Sequence, residues 1–237
     1  MAIYALADLH LSLSNPEKSM DVFGSDWDGY ISRIERGWRE AVTPEDTVLV
    51  AGDISWATYI DKAEEDFEFL AGLPGRKLIC RGNHDYWWTT MKKLDEFFAS
   101  HDFPGIEIVR TNVIEAESVL ISGTRGWMLE GALKNADDRK IYDREIARIK
   151  LCLGELNKAD PDHARKRILM LHYPPIVRGQ EKTEITELLA GQIDICVYGH
   201  LHGRGKGQVF EGEGAGKVKY ICTAADYLDF APVKISL

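Results

Sequence analysis

Five short motifs carry the residues of this chain that could do chemistry: Asp8-Leu9-His10, Gly52-Asp53, Gly82-Asn83-His84-Asp85, His172 and Gly199-His200-Leu201-His202. Carboxylate, amide and imidazole groups are the donors that first-row divalent metals accept. Five of the seven histidines lie in these motifs, more donors than one ion needs. The set suffices for two hydrolytic metals and leaves one histidine for acid–base work. Singly, each piece has a plain structural reading. Gly-Asp is a common turn, and a histidine on an apolar strand is usually a satisfied core residue. Five pieces in this order are hard to obtain by accident.

The elements that must position them are legible from periodicity. β-like apolar runs are expected at 3–7, 47–51, 77–80, 106–109, 118–122, 167–171, 195–198, 217–223 and 233–235, with a short strand at 208–210 among glycine-rich turns. Several are apolar throughout, as for strands covered on both faces. Asp8, Asp53, Asn83, His172 and His200 each follow such a run, and ligands in open α/β sheets gather beyond the carboxyl ends of the strands. Helical stripes run through Trp27, Tyr30, Ile31, Ile34 and Trp38, through Ile60, Ala63, Phe67 and Leu70, and through Met91, Leu94 and Phe98. The longest joins Tyr142, Ile146, Ile149, Leu153 and Leu156. All four read as core packing. The expected fold class is α/β (α+β), a four-layer α-β-β-α sandwich of two mixed sheets flanked by helices. It forms one domain over residues 1–237.

A net charge of −9 disfavours indiscriminate binding to nucleic acid or to an anionic membrane, which needs a basic face. No signal peptide and no membrane-length apolar stretch is read. Cys80, Cys152, Cys196 and Cys222 form no C-x-x-C pair and are expected as buried, reduced thiols, with a cytoplasmic location. Nothing in the sequence sets the oligomeric state.

The ordered combination D-x-H, G-D, G-N-H-D, H and G-H-x-H resembles the calcineurin-like metallophosphoesterase superfamily over nearly the whole chain. The resemblance implies that Asp8, His10, Asp53 and His202 hold one metal and that Asp53, Asn83, His172 and His200 hold a second. Asp53 then bridges them, one carboxylate oxygen for each ion. It implies His84 as a non-ligand that protonates the leaving group or stabilises phosphoryl charge. Asp85 is a candidate to orient His84, which the family pattern does not require. The cofactors implied are two divalent ions, Mn, Fe, Zn or Ni, and two aspartates against four positive charges leave a site that attracts an anionic phosphoester. A metal-bound hydroxide is the implied nucleophile.

Departures from the known branches narrow the resemblance. Purple acid phosphatases have tyrosine where Trp56 stands. Protein Ser/Thr phosphatases carry G-D-x-x-D-R-G where this chain reads Gly52-Asp53-Ile54-Ser55-Trp56-Ala57-Thr58. The UDP-diacylglucosamine hydrolases have arginine in place of His84. A small, stand-alone, bacterial-type phosphohydrolase remains, acting on a small phosphorylated substrate, with phosphodiesters favoured. The alternatives are a phosphomonoesterase, a nuclease of the same superfamily, and a non-catalytic binding module on the same fold. Arg125 and Trp127 are candidate substrate contacts, against a loop salt bridge and packing. Trp56, Trp87 and Trp88 also lie beside motifs and are read as packing around the metal shell. Tyr173-Pro174-Pro175 shapes the backbone after His172. The span 128–165 either covers the cleft or is a plain surface helix.

Overall fold

The computed structural model describes residues 1–237. Eleven strands alternate with five α-helices: β1 Ile3–Ala5, α1 Tyr30–Ala41, β2 Thr47–Val50, α2 Glu64–Ala71, β3 Arg76–Ile79, α3 Met91–His101, β4 Ile106–Ile108, β5 Ile114–Ala116, β6 Val119–Thr124, α4 Ala136–Ala159, β7 Arg167–Leu171, α5 Glu184–Leu189, β8 Ile195–Tyr198, β9 Gly212–Glu213, β10 Lys219–Cys222 and β11 Val233–Lys234. They form a five-stranded sheet in the order β11-β1-β2-β3-β4 and a six-stranded sheet in the order β5-β6-β7-β8-β10-β9. Both are mixed. Parallel ladders run through the centre of each, and antiparallel β11, β5 and β9 lie at the edges.

Alternation along the strands builds the layers. In the first sheet Leu6, Val48, Val50 and Ile79 face a core shared with Trp38, Phe67 and Leu94 of the helices. Their neighbours Ala5, Leu49 and Leu78 face the opposite way, into a core shared with Ile121, Ile168, Met170 and Val197 of the second sheet. In that sheet Leu120, Leu169, Cys196 and Tyr220 face Tyr142, Ile149 and Leu156 of α4. Since successive side chains point to opposite faces of a strand, an apolar run covered on both sides yields this helix–sheet–sheet–helix stack. The expected sandwich is thus observed. All four cysteines are free and buried, and no helix is long and apolar enough to cross a membrane.

Some expectations shift. Trp27 belongs to a separate 3₁₀ turn, Ser25–Trp27, because Gly29 in the left-handed region (φ 60°) breaks the chain before α1. Ile60 likewise lies on a short turn before α2. The strand expected at 208–210 is absent. The Tyr198 hydroxyl donates to the Phe210 carbonyl (2.5 Å) and accepts its N–H (3.2 Å), so a side chain satisfies that backbone in place of a ladder, and the short edge strand is β9. Short β5 and α5 were not legible from periodicity.

Candidate metal centre

The two sheets meet at the carboxyl ends of their strands. The Ala7 N–H donates to the Thr223 carbonyl (2.6 Å), and the Ala7 carbonyl accepts the Ala225 N–H (2.9 Å), joining the end of β1 to the end of β10. The loop after β1 is tied to the loop after β2 by Asp8 N–H to Gly52 O (3.0 Å) and His10 N–H to Asp53 O (2.9 Å). The Gly199 N–H donates to His172 O (3.1 Å), and the His172 N–H to Arg125 O (3.0 Å). All five motifs therefore share one rim.

The backbone there is strained. Asp8, His10, Asp53 and His200 all have positive φ, between 45° and 70°. Such geometry costs a non-glycine residue about 1–3 kcal/mol, and where it clusters it marks a functional site. The motif glycines are needed for space. A Cβ on Gly82 would lie 2.1 Å from Asp53 Oδ1, and one on Gly199 would lie 2.5 Å from Asp8 Oδ2.

Asp8, His10 and Asp53 are buried and His202 partly so, with one donor atom of each within 4.8 Å of the others, a group able to hold a metal ion. A second set adjoins it. His172 Nε2 lies 3.5 Å from Asp53 Oδ2 and 2.7 Å from Asn83 Oδ1, and the His200 ring stands 5.2 Å from that of His172. Asp53 Oδ2 is 3.6 Å from His10 Nε2, so this one oxygen lies between the two sets. Oδ1 accepts the His84 N–H (2.7 Å) and keeps a second lone pair.

The donor set fits cations. His10 Nε2, Asp53 Oδ2 and His200 Nδ1 are buried without a hydrogen-bond partner, an arrangement proteins avoid unless something else satisfies the atoms. His172 Nδ1 lies 3.0 Å from the Ala51 carbonyl and donates to it. That fixes its tautomer and turns a lone pair on Nε2 toward the lone pairs of Asn83 Oδ1. Two acceptors 2.7 Å apart repel unless a proton, a turned Asn83 amide or a cation comes between them. Burial depresses all four ligand-type imidazoles, His172 to about 3, and raises the Asp8 and Asp53 carboxyls, with Asp53 adding to the rise of Asp8. Neutral imidazoles and buried carboxyls without cationic partners are what bound divalent ions would use.

His84 stands beside this group, its ring 5.7 Å from that of His10 and 4.7 Å from that of Trp56. Its Nδ1 is 3.3 Å from the Tyr86 hydroxyl, which leaves Nε2 for a ligand. Burial lowers its pKa, opposed by Asp53. Asp85 does not orient it. The buried Asp85 carboxylate accepts N–H groups from Asp53 (2.9 Å), Ile54 (2.8 Å), Ser55 (3.4 Å) and Gly82 (2.6 Å) and the Trp87 indole (3.0 Å). It pins the loop after β2 to the loop after β3. Desolvation raises its pKa, and Asp53 adds to the rise.

Arg125 is mostly buried, stacked over Trp127 (4.7 Å) with Nη2 3.8 Å from Glu145. Trp127 reaches the rim through Tyr173, which lies 5.1 Å from Trp127 and 4.2 Å from the His200 ring. Trp56 stacks on His10 (4.9 Å). Of the span 128–165, α4 packs in the outer helical layer, while Met128, Leu129 and Ala132 border a cavity of about 200 Å³ beside Tyr173 and His200. Two further groups were missed from sequence. Tyr86 meets His84, and the buried Asp226 carboxylate, ion-paired with Lys206 (3.3 Å), holds the Gly203 N–H (2.7 Å) just after His202. The signal for Asp226 was available, since it too follows a strand, β10.

The profile of the calcineurin-like phosphoesterases matches residues 1–204. The chain belongs to that family. No curated protein matches it by sequence. Among solved structures, phosphopantetheinyl hydrolase from Mycobacterium tuberculosis shares its fold at 14% identity, with 99% of this chain and 95% of that chain covered and a TM-score of 0.56. The protein TT1561 of Thermus thermophilus does so at 12% identity, with 99% and 97% covered and a TM-score of 0.56. At such identities the likeness is one of fold. For this calcineurin-like phosphoesterase, the metal-competent group and the family together indicate a phosphohydrolase.

Proposed function

We propose that the chain hydrolyses a small phosphodiester with the help of two divalent metal ions. The observation that carries this reading is Asp53 Oδ2, buried without a donor and flanked by His10 Nε2 at 3.6 Å and His172 Nε2 at 3.5 Å. Asp8, His10, Asp53 and His202 would hold one ion and Asp53, Asn83, His172 and His200 the other. Mn, Fe, Zn or Ni suits this mixture of imidazole and carboxylate. When bound, such ions supply Lewis acidity toward the phosphoryl oxygens and lower the pKa of water.

The chain's own residues do the rest. Asp85 and the glycines hold the loops so that the ligand atoms converge. The Ala51 carbonyl sets the His172 tautomer. His84, outside both sets, offers Nε2 to the leaving-group oxygen and gives it a proton as the P–O bond breaks, with Tyr86 on its other ring nitrogen. Trp56 stacks on His10 and keeps water from one side of the site. Arg125 and Trp127 are the substrate contacts proposed on the β6 side.

The test is hydrolysis of bis-p-nitrophenyl phosphate beside p-nitrophenyl phosphate by protein stripped of metal and reloaded with Mn²⁺. Mn-dependent turnover favouring the diester is expected. Turnover of the monoester alone would make the protein a phosphatase. Two bound ions with no turnover of either would favour a binding module.

A further inference from the structure

Beside the metal rim lies a cavity of about 250 Å³ whose walls include four arginines, Arg81, Arg110, Arg125 and Arg148, with Trp88 along one side. None of the proposed metal ligands lines it. It adjoins them all the same. Arg81 directly precedes the Gly82–Asp85 motif, and the Arg125 carbonyl accepts the His172 N–H.

The charges in the cavity do not balance. The carboxylate in contact with these guanidiniums is that of Glu145, which is buried and already engaged by Arg148 (2.5 Å) and the Thr124 hydroxyl (2.9 Å), with Arg125 at 3.8 Å. Arg81 and Arg110 make no side-chain hydrogen bond and no ion pair. The Nε–H groups of Arg81 and Arg125 are buried without an acceptor. An unmet buried donor of this kind costs about 1–3 kcal/mol. Packing alone gives no reason to gather four guanidiniums around this cavity, two of them without any side-chain partner. An oxyanion would offset the repulsion between them, and guanidinium forks match its geometry. The volume lies just below the range of pockets that hold whole drug-sized ligands, about 300–1,000 Å³, and suits a small anionic group.

We propose that this arginine-lined cavity is a second anion site, separate from the metal centre, that takes a phosphate-class oxyanion, either free or as the far phosphate of a larger ligand. It goes beyond the proposed hydrolysis and does not require it.

The test is calorimetric titration of inorganic phosphate into Mn²⁺-loaded protein freed of excess metal, alongside R81Q, R110Q and R144Q. Arg110 is exposed and without side-chain bonds, so R110Q should fold even if R81Q does not. The expected result is one phosphate site per chain, beyond any at the metal centre, whose affinity falls at least tenfold in R110Q and R81Q and stays within twofold in R144Q, which removes equal charge but does not line the cavity. A phosphate held by the metal centre would appear as a second site unaffected by R110Q, so failure of either reading shows separately. Repeating the titration with fructose 1,6-bisphosphate distinguishes the sources. A gain over phosphate that R110Q removes marks the cavity as part of a larger ligand's site, and no gain marks a site for the free ion. Absence of any phosphate binding sensitive to R110Q or R81Q, or an equal loss in R144Q, would overturn the proposal.

Discussion

Asp53 is the residue we propose both halves of the centre share, and its surroundings divide the work among side chains that look alike in sequence. Its Oδ1 accepts the His84 N–H, and its Oδ2 is left between two imidazoles. His84 touches this carboxylate only through its backbone, so its ring is free for proton transfer. His84→Ala should keep both ions and lose roughly 10²–10⁴-fold in turnover, the usual range for a general acid. Metal analysis of the purified variant checks this, and loss of either ion would contradict the role. Asp85 separates differently. Its carboxylate holds five N–H donors across two loops and contacts no ligand atom of another residue except through them. Asp85→Asn replaces one acceptor oxygen with a donor facing backbone N–H groups. Metal affinity should fall by about 10–100-fold, as for other residues that orient ligands, measured by Mn²⁺ titration. An unchanged affinity would show that the loops hold their places without it.

At the scale of elements, strands deliver the ligands and glycines let them approach. Gly82→Ala would set a methyl group against Asp53 Oδ1 and the Asp53 N–H, 2.1 and 2.2 Å away. The strand before it should survive while the site opens. The expected outcome is a folded protein by circular dichroism with Mn²⁺ binding reduced at least tenfold, and full binding would mean that the loop yields easily. These elements are also where legibility ended. The strands before the motifs could be read because each carries an apolar run that stops at a polar residue, and α4 because its stripe runs over many turns. β5 is three residues at an edge and α5 is six, too short for any period to show. The segment 208–210 was misread for another reason: the Tyr198 hydroxyl, twelve residues away, serves the Phe210 backbone, a contact no local pattern records. That Asp8, His10, Asp53 and His202 belong together was legible from the motifs and their resemblance to a family. The stapling by Asp85 was not, since it depends on which backbone N–H groups the fold turns toward a carboxylate.

For the whole molecule, two sheets packed face to face bring strand ends from both halves of the chain to one rim, so that ligands as far apart as Asp8 and His202 share a site while the core beneath stays apolar. Several charged side chains are buried within this packing, Lys77 and Arg167 among them. Lys77 on β3 is almost fully buried, its ammonium donating to the Leu73 and Ala71 carbonyls, and burial lowers its pKa to about 8. The folded value is below the unfolded one, so between about pH 8 and the ordinary lysine range the unfolded chain binds more protons, and stability should rise with pH. Urea unfolding of wild type and Lys77→Met at about pH 8 and about pH 9.5, within that window, isolates this effect. The wild type should gain stability relative to the variant, and parallel behaviour would place the Lys77 pKa elsewhere. The central claim, that Asp53 joins two metal sites, is tested most directly by counting bound Mn²⁺ per chain in the wild type and in Asp53→Asn. Two ions in the wild type and loss from both sites in the variant are predicted, whereas a single ion in the wild type, or two retained by Asp53→Asn, would contradict it.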